Sequence, residues 1–455
     1  MKKVRIGNGC GFWGDNLDAP IELAKHGQLD YLTLEYLAEL TMSILALQKQ
    51  RHPERGYAHD FLKVLERLCP TLQSQPELKI ITNAGGMNAL GCAQNAVAVL
   101  ARRDLPDHKI AIVEGDDVLP LLDELLSQEH SLANLETGED LASIRDRVVS
   151  ANVYLGARPI VEALKLGASI VITGRIADAS LTVGPAIYEL GWSMQDWDRL
   201  CAATVAGHLI ECGAQVTGGL WCNWSPETDL ANVGYPIAIV NEDGPIQITK
   251  PAQTGGRVNR ETVIEQLLYE VGDPARYLTP DVVADFTTLS IKETDKDLVE
   301  ISDVKGHPAT SSYKVSIAYR NGFSSSGNLV VFGPKASQKA EHCGEIIRQR
   351  LQRAGSLPEK FQVECLGTGV AAPTLKAPTD VREVVLRVTV YDPHREVVER
   401  FTRELAPLVT SGPPGITGYA TGRPAVREVF AYWPALLAKE AVQPQVRIIS
   451  EGATG

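Results

Sequence analysis

The sequence has no basic stripe. Its formal charge is −12 over 455 residues, whereas holding a phosphate backbone requires clustered Lys and Arg. Nucleic acid is therefore excluded as a partner. No unbroken apolar run approaches the roughly 20 residues that cross a bilayer, so no membrane partner is expected either. The opening Lys2-Lys3-Val4-Arg5-Ile6-Gly7 lacks the apolar core of a signal peptide. Eight cysteines are scattered without a Cys-x-x-Cys pair. That pattern argues against a disulfide framework or structural zinc and for reduced thiols in a cytoplasm. A Gly-x-Ser-x-Gly elbow, a Walker loop and a His-Glu-x-x-His helix are also missing, and Ser180 lacks the elbow context, so serine hydrolysis is not expected.

What is present is ordinary globular material. Hydrophobic residues make up 44% and charged residues 22% of the chain, and the length suggests roughly two or three domains. Up to about residue 220, short Ile/Val runs alternate with helical stretches of about 10 to 15 residues, the spacing of βαβ units. The runs are Val4–Ile6, Asp30–Leu34, Lys79–Thr82, Lys109–Val113, Val148–Tyr154 and Ser169–Thr173. Continuous rather than alternating runs mean strands covered on both faces. The expected fold is α/β: a mostly parallel, open sheet of about six β-α units, with a distorted barrel as the alternative. From about 235 the texture changes to a hairpin at 238–248 and alternating strands. The expected division is an α/β domain at 1–235 holding the site and a smaller antiparallel α+β region at 236–455, with one subdomain or two.

The strand ends carry the first chemical signal. In parallel α/β sheets, loops and helix N-termini converge outside the carboxyl ends of the strands, and ligands bind there. Those ends hold Asn8, Asp15, Glu35, Asn83, Glu114, Asp116, Asp117, Arg175 and Asp178. Each taken singly reads equally well as a turn or cap residue. The Gly7-x-Gly9-x-Gly11 loop lacks dinucleotide spacing and continues as Phe12-Trp13-Gly14-Asp15, so its amides suit an anion or a carbonyl oxygen, not a Rossmann cofactor.

The second signal lies in Cys201–Val216. Read as a helix, this segment is small or apolar nearly all round, yet Thr204, His208, Glu211 and Gln215 recur at steps of four, three and four on one face. A Glu beside a His is costly to bury unless both have partners or work. The pair could be an acid/base couple, a half-site for a divalent metal, or a satisfied structural pair. Candidates for catalysis are thus His208, Glu211, Asp178 and Glu114. Candidates for substrate binding are Asn8, Gly9, Gly11, Asp15, Glu35, Asn83, Gly85, Gly86, Asp116, Arg175, Thr204 and Gln215. No metal ligand is assigned. The Gly/Pro loop at 410–424 could cradle a phosphate or a thioester oxygen, or could be a tight turn.

Several of these segments together resemble one family. Arg5–Gly9, Phe12–Asp15, Leu29–Leu32, Leu37–Met42, Asn83–Gly86, Val113–Asp117, Ile172–Ser180, Val205–Gly219, Gly234–Ile237 and Thr249–Pro251 are similar to the acyclic terpene utilisation proteins of the AtuA type. The resemblance covers most of residues 1 to about 340. It implies a part in the breakdown of branched or terpenoid acyl-CoA compounds, beside a biotin-dependent carboxylase and an unsaturated acyl-CoA hydratase. It brings no agreed set of catalytic residues.

The leading expectation is therefore a cytoplasmic enzyme of hydratase or dehydratase type, taking a branched or terpenoid acyl-CoA or related acid. CoA would enter as part of the substrate and no other cofactor is assigned. Such chemistry needs a base for the α-proton, an acid for the β-oxygen and donors for the enolate. His208 with Glu211 would be the pair, amides of Gly85-Gly86 or Gly9–Gly11 the donors, and Arg175 a carboxylate clamp. A scaffold subunit of a carboxylase or hydratase complex, or a metal-dependent hydrolase, are the alternatives. A homo-oligomer is expected.

Overall fold

The Ile/Val runs do become strands. A computed structural model describes residues 2–374, 381–417 and 422–449. Its first strands are β1 (Lys3–Asn8), β2 (Tyr31–Leu34), β3 (Lys79–Thr82), β4 (Ile110–Glu114), β5 (Val148–Val153) and β6 (Ile170–Thr173). β1, β2, β3, β6 and β4 lie side by side in that order, with parallel pairing throughout. β2 and β6 are buried at every residue, as expected of strands covered on both faces.

The expectation of a mostly parallel sheet of six units is corrected at two points. β5 leaves the parallel set and pairs with a distant strand, β14 (Ser312–Phe332). The parallel strands are also flanked on both sides by antiparallel ones. β7 (Ile237–Asn241) pairs antiparallel with β1, followed by β8 (Ile246–Thr249). After β9 (Tyr277–Leu278) and β10 (Val283–Asp285), the chain adds β11 (Ser290–Asp295) and β12 (Leu298–Ser302) beyond β8. Following β13 (Lys305–His307), β14 (Ser312–Phe332), β15 (Lys360–Leu366), β16 (Glu383–Asp392) and β17 (Arg427–Ala438), the last strand β18 (Gln445–Ile449) closes the far edge against β4. The result is a ten-stranded mixed sheet, β11-β12-β8-β7-β1-β2-β3-β6-β4-β18. The change of texture near residue 235 thus marks a change of strand direction within one sheet.

Two compact units emerge, Met1–Ala318 with Tyr432–Gly455, and Tyr319–Ala431. In the second, β15, β16 and the end of β14 pair antiparallel. The helices Ala336–Arg353 and Arg395–Phe401 cover them through Ile347, Leu351, Val398 and Phe401 against Leu329, Leu386 and Val388. Of the 410–424 loop, Gly418–Thr421 lie outside the described residues.

In the first unit, the helix Trp197–Glu211 has no exposed face: every residue from Leu200 to Ile210 is buried. Its small, apolar composition is what permits this. At Gly207 the backbone passes so close to the preceding helix that an added Cβ would stand 2.7 Å from the Ala179 Cα. The helix therefore delivers His208 and Glu211, in its last turn, to the carboxyl ends of β1, β2 and β6.

Candidate active site

A cavity of about 980 Å³ opens there, within the first unit. Gly11 and Asp15 reach it from the loop after β1, Glu35 and Glu39 from beyond β2, Arg175 and Asp178 from beyond β6, and His208, Glu211 and Gln215 from the helix end. The loop after β1 can approach the helix end only because residue 11 is glycine. A Cβ there would sit 2.7 Å from the Cys212 carbonyl carbon.

His208 is 1% exposed, and both ring nitrogens are spoken for. Nε2 lies 3.0 Å from the Gln266 carbonyl oxygen, and Gln266 Nε2 donates back to the His208 carbonyl at 3.1 Å. A carbonyl only accepts, so Nε2 carries a hydrogen. Nδ1 then faces Glu211 Oε1 at 3.0 Å. Burial works against a charge on the ring, but the hydrogen bond and charge of Glu211, with the Gln266 carbonyl and Glu270 behind them, raise its pKa. Tyr277 and Phe286 pack on the ring with centroids 5.3 and 5.5 Å away. His208 thus holds Glu211 in place through the Nδ1–Oε1 contact. Glu211 Oε2 remains buried without a partner.

Across the floor lies a second group. Arg175 is 2% exposed; its Nη1 donates to the Leu37 carbonyl at 2.8 Å and stands 2.9 Å from Asp178 Oδ1, too poorly aligned for a hydrogen bond. Its guanidinium stacks 4.1 Å over the Tyr154 ring, and its Nε has no partner. Burial, opposed by Arg175 and joined by the Glu211 and Glu39 carboxylates, pushes Asp178 up to about 7. Glu35 accepts from Asn83 Nδ2 and from Leu37 N at 3.0 Å through Oε1, while Oε2 is an orphan. Burial and the Asp178 carboxylate push Glu35 well above the usual carboxylate range, against Arg175 and its two hydrogen bonds. Glu35, Asp178 and Glu211 also border one small void beneath the cavity, too tight for a water molecule.

Nearer the mouth, Glu39 accepts from the Tyr154 hydroxyl at 2.6 Å and from Lys314 Nζ at 3.2 Å. Although burial pulls the other way, Tyr154, Arg175 and Lys314 hold Glu39 down at about 2. Asp15 accepts from Gly11 N at 2.8 Å and from the Tyr235 hydroxyl at 2.6 Å, which pins the glycine loop in place.

The family profile for "Acyclic terpene utilisation family protein AtuA" matches residues 4–448, nearly the whole chain. The chain belongs to this family. No curated protein and no solved structure matches it. The family's name speaks of the use of acyclic terpenes, a catabolic role. The remaining detail must come from the residues themselves.

Of the residues singled out by sequence, Gly11, Asp15, Glu35, Arg175, Asp178, His208, Glu211 and Gln215 come together around the cavity. The others stand elsewhere. Asn8 donates to the Ile210 and Glu211 carbonyls at 2.8 and 2.9 Å, closing the end of the helix. Asn83 sits behind Glu35 and accepts from Tyr36 N at 2.8 Å. Asp116 Oδ2 accepts from Arg175 N and Asn152 Nδ2, both at 2.8 Å, tying the end of β4 to that of β6. Glu114 pairs with Arg447 across the sheet edge. Gly9 packs on Pro20 and Gly85 on the Thr173 carbonyl and Ala89, while Gly86 (φ +50°) turns the chain against Leu45. Of the two glycine pairs expected to supply amides, only Gly11 lines the cavity; Gly9, Gly85 and Gly86 do not. Thr204 is buried one turn too early, its hydroxyl unpartnered. Among the described residues, no group of three or more His, Cys, Asp or Glu is arranged to hold a metal ion, and no helix is long and apolar enough to cross a membrane.

Sequence reasoning missed Glu39, Tyr154, Tyr235, Gln266, Glu270, Tyr277 and Lys314. Tyr154 follows β5, and Lys314 lies on β14 with nothing in its neighbourhood to single it out. Tyr235, inside the Gly234–Ile237 motif, and Glu39, inside the Leu37–Met42 motif, carried a readable signal.

Proposed function

We propose that the protein is a cytoplasmic lyase that removes water from, or adds it to, a branched or terpenoid substrate at the level of a CoA thioester or a related acid. One observation carries this reading: two carboxyl groups of opposite character border one cavity, Glu211 paired with His208 and Asp178 pushed up to about 7. A carboxyl group held against a histidine and a second one pushed towards neutral pH offer the base and the acid that such chemistry requires. In the dehydration direction, Glu211 takes the proton from the carbon next to the carbonyl. Neutral Asp178 gives its proton to the departing β-hydroxyl, which leaves as water while the C=C bond forms. One proton passing from Glu211 to Asp178 resets the pair. Arg175, with an unpartnered Nε, stands ready to stabilise the enolate that develops. His208 is a positioning residue, since both of its nitrogens face protein groups. Among the described chain the cysteines are all free thiols, in keeping with a reducing compartment.

The test is exchange of solvent deuterium into a branched α,β-unsaturated or β-hydroxy substrate. Wild-type protein is expected to exchange the α-hydrogen, and Glu211→Gln to lose it. Equal exchange by the two proteins would remove Glu211 as the base.

A further inference from the structure

The floor and mouth of the cavity differ in chemistry. The floor is buried and ionisable. The mouth carries Phe12, Leu135, Leu220, Tyr269, Leu278 and Leu436, between 39% and 67% exposed and all part of the cavity wall. Large apolar side chains gathered at one opening mark a contact surface for something apolar, and continuity with the cavity indicates what covers them: the ligand's own hydrocarbon chain.

The charge count around the wall bears on the other end of that ligand. Carboxylates come from Asp15, Glu35, Glu39, Asp178, Glu211 and Glu270. Besides His208, the cations are Arg175 and Lys314. Arg175 is buried on the floor with its Nη1 held by the Leu37 carbonyl at 2.8 Å, and Lys314 is paired with Glu39 at 3.2 Å. Holding the pyrophosphate and 3′-phosphate of CoA takes several uncommitted cations, and none of those lining the mouth is uncommitted. A CoA thioester would also have to enter acyl end first, setting hydrocarbon on the ionic floor and phosphates across an apolar, acidic rim. Both ends would then be mismatched. The floor, by contrast, offers an unpartnered buried acceptor at Glu35 Oε2 and an unpartnered buried donor at Arg175 Nε, the complement of a group that both donates and accepts.

We infer that the cavity takes a free branched amphiphile head first, its uncharged hydroxyl or protonated carboxyl on the Glu35–Asp178–Arg175 floor and its hydrocarbon chain along the Phe12–Leu220–Leu278 rim, and that it does not take the CoA thioester. Within the lyase reading, on which it rests for the site, this narrows the substrate to the free acid, and the alcohol, having no carbonyl, serves as a binding probe alone; the test reads binding alone.

The probes are a branched, unsaturated medium-chain alcohol, the matching free acid and its CoA thioester, titrated calorimetrically into the full chain. Leu220→Asp and Leu278→Asp alter exposed rim positions, and circular dichroism checks their folding. The alcohol is expected to bind tightest, the acid to gain affinity as pH falls, and the thioester to bind at least about tenfold more weakly. Each rim carboxylate is expected to weaken the alcohol by about tenfold, the loss of one or two buried methylene groups. A thioester bound as tightly as the alcohol would overturn the inference. So would rim variants with wild-type affinity, or rim variants whose only change is the mass of the assembly in sedimentation. If the alcohol binds with rim dependence while no deuterium exchange occurs, the lyase reading fails and the head-first mode stands. Exchange on the thioester that depends on Glu211 would sustain the lyase reading and overturn the head-first mode.

Discussion

Asp116 and Glu211 are both carboxylates near the ends of parallel strands, yet their surroundings are opposite. Asp116 Oδ2 receives a backbone and a side-chain donor at 2.8 Å each, and it faces protein on every side. Glu211 has one oxygen held by His208 and the other left without a partner at a cavity wall. The same division runs through the whole strand-end layer. Asn8, Asn83 and Asp116 are engaged by backbone groups and side chains of neighbouring elements, while Glu35, Arg175 and Glu211 each keep an orphan atom. Buried polar groups in proteins are nearly always satisfied, so several orphan atoms gathered at one cavity wall mark a site, whereas a lone one such as the Thr204 hydroxyl does not. Position at a strand end does not separate frame from site; an unpartnered atom at the cavity wall does.

The largest expected effect tests the site side of that division. Glu211→Gln keeps size and one acceptor but removes the base, so turnover should fall by a factor on the order of 10²–10⁴. Ligand affinity, measured by calorimetry, should change far less. If turnover and affinity fall together, Glu211 belongs to the frame.

The frame side is tested by Asp116→Ala. It strands Arg175 N and Asn152 Nδ2 in a dry interior, and each unmet buried group costs about 1–3 kcal/mol. A loss of about 3 kcal/mol in urea unfolding is expected. A stability change within about 0.5 kcal/mol would show that water or rearrangement meets those donors.

Much of this organisation was legible before any coordinates. Ile170-Val171-Ile172 and Ile110–Val113 read as strands because burial on both faces requires a continuous apolar run. The His208–Glu211 step of three placed both on one helix face. The partner of a strand is another matter. Val148–Val153 is as apolar as its neighbours, but nothing local says that it pairs with β14 and not with β4 or β6. Thr204 shares the helix stripe, but the cavity reaches only the last turn, a fact set by where the helix ends against the Gly11 loop. Tyr154 and Lys314 meet over Glu39 only after strands far apart in the chain have paired. Long-range pairing, which local pattern does not encode, decided every residue that was missed on these strands.

Acidity offers a sharper cut. Burial sets Asp116 and Asp178 alike at about 7, so both are neutral below that pH and charge above it, but they should report in different measurements. Loss of the Asp178 proton removes the acid, so kcat/KM should fall as pH rises through about 7. Asp116 acts on stability. Its folded-state pKa is raised, so its contribution is fully present below the ordinary Asp range near 4 and is lost as pH rises towards 7. Asp116→Asn should flatten that part of the stability profile while leaving the falling limb of kcat/KM in place. A limb that disappears in Asp116→Asn would assign the acid to the wrong carboxyl.

The smallest expected effect concerns Glu114, grouped with the site by its strand-end position alone. It pairs with Arg447 at the sheet edge, with a third of its side chain exposed. Ion pairs so placed contribute about 0–1 kcal/mol, because water screens the charges and ordering two long side chains offsets the gain. Glu114→Gln should therefore lower stability by less than about 1 kcal/mol and leave turnover unchanged. The small size of this effect is what makes it informative. Glu114 and Glu35 look alike in the sequence, each a glutamate ending an apolar run, and a large loss of turnover in Glu114→Gln would mean that the cavity wall extends to the β4–β18 edge. An unchanged rate confines the chemistry to the ends of β1, β2 and β6, where the helix delivers its last turn.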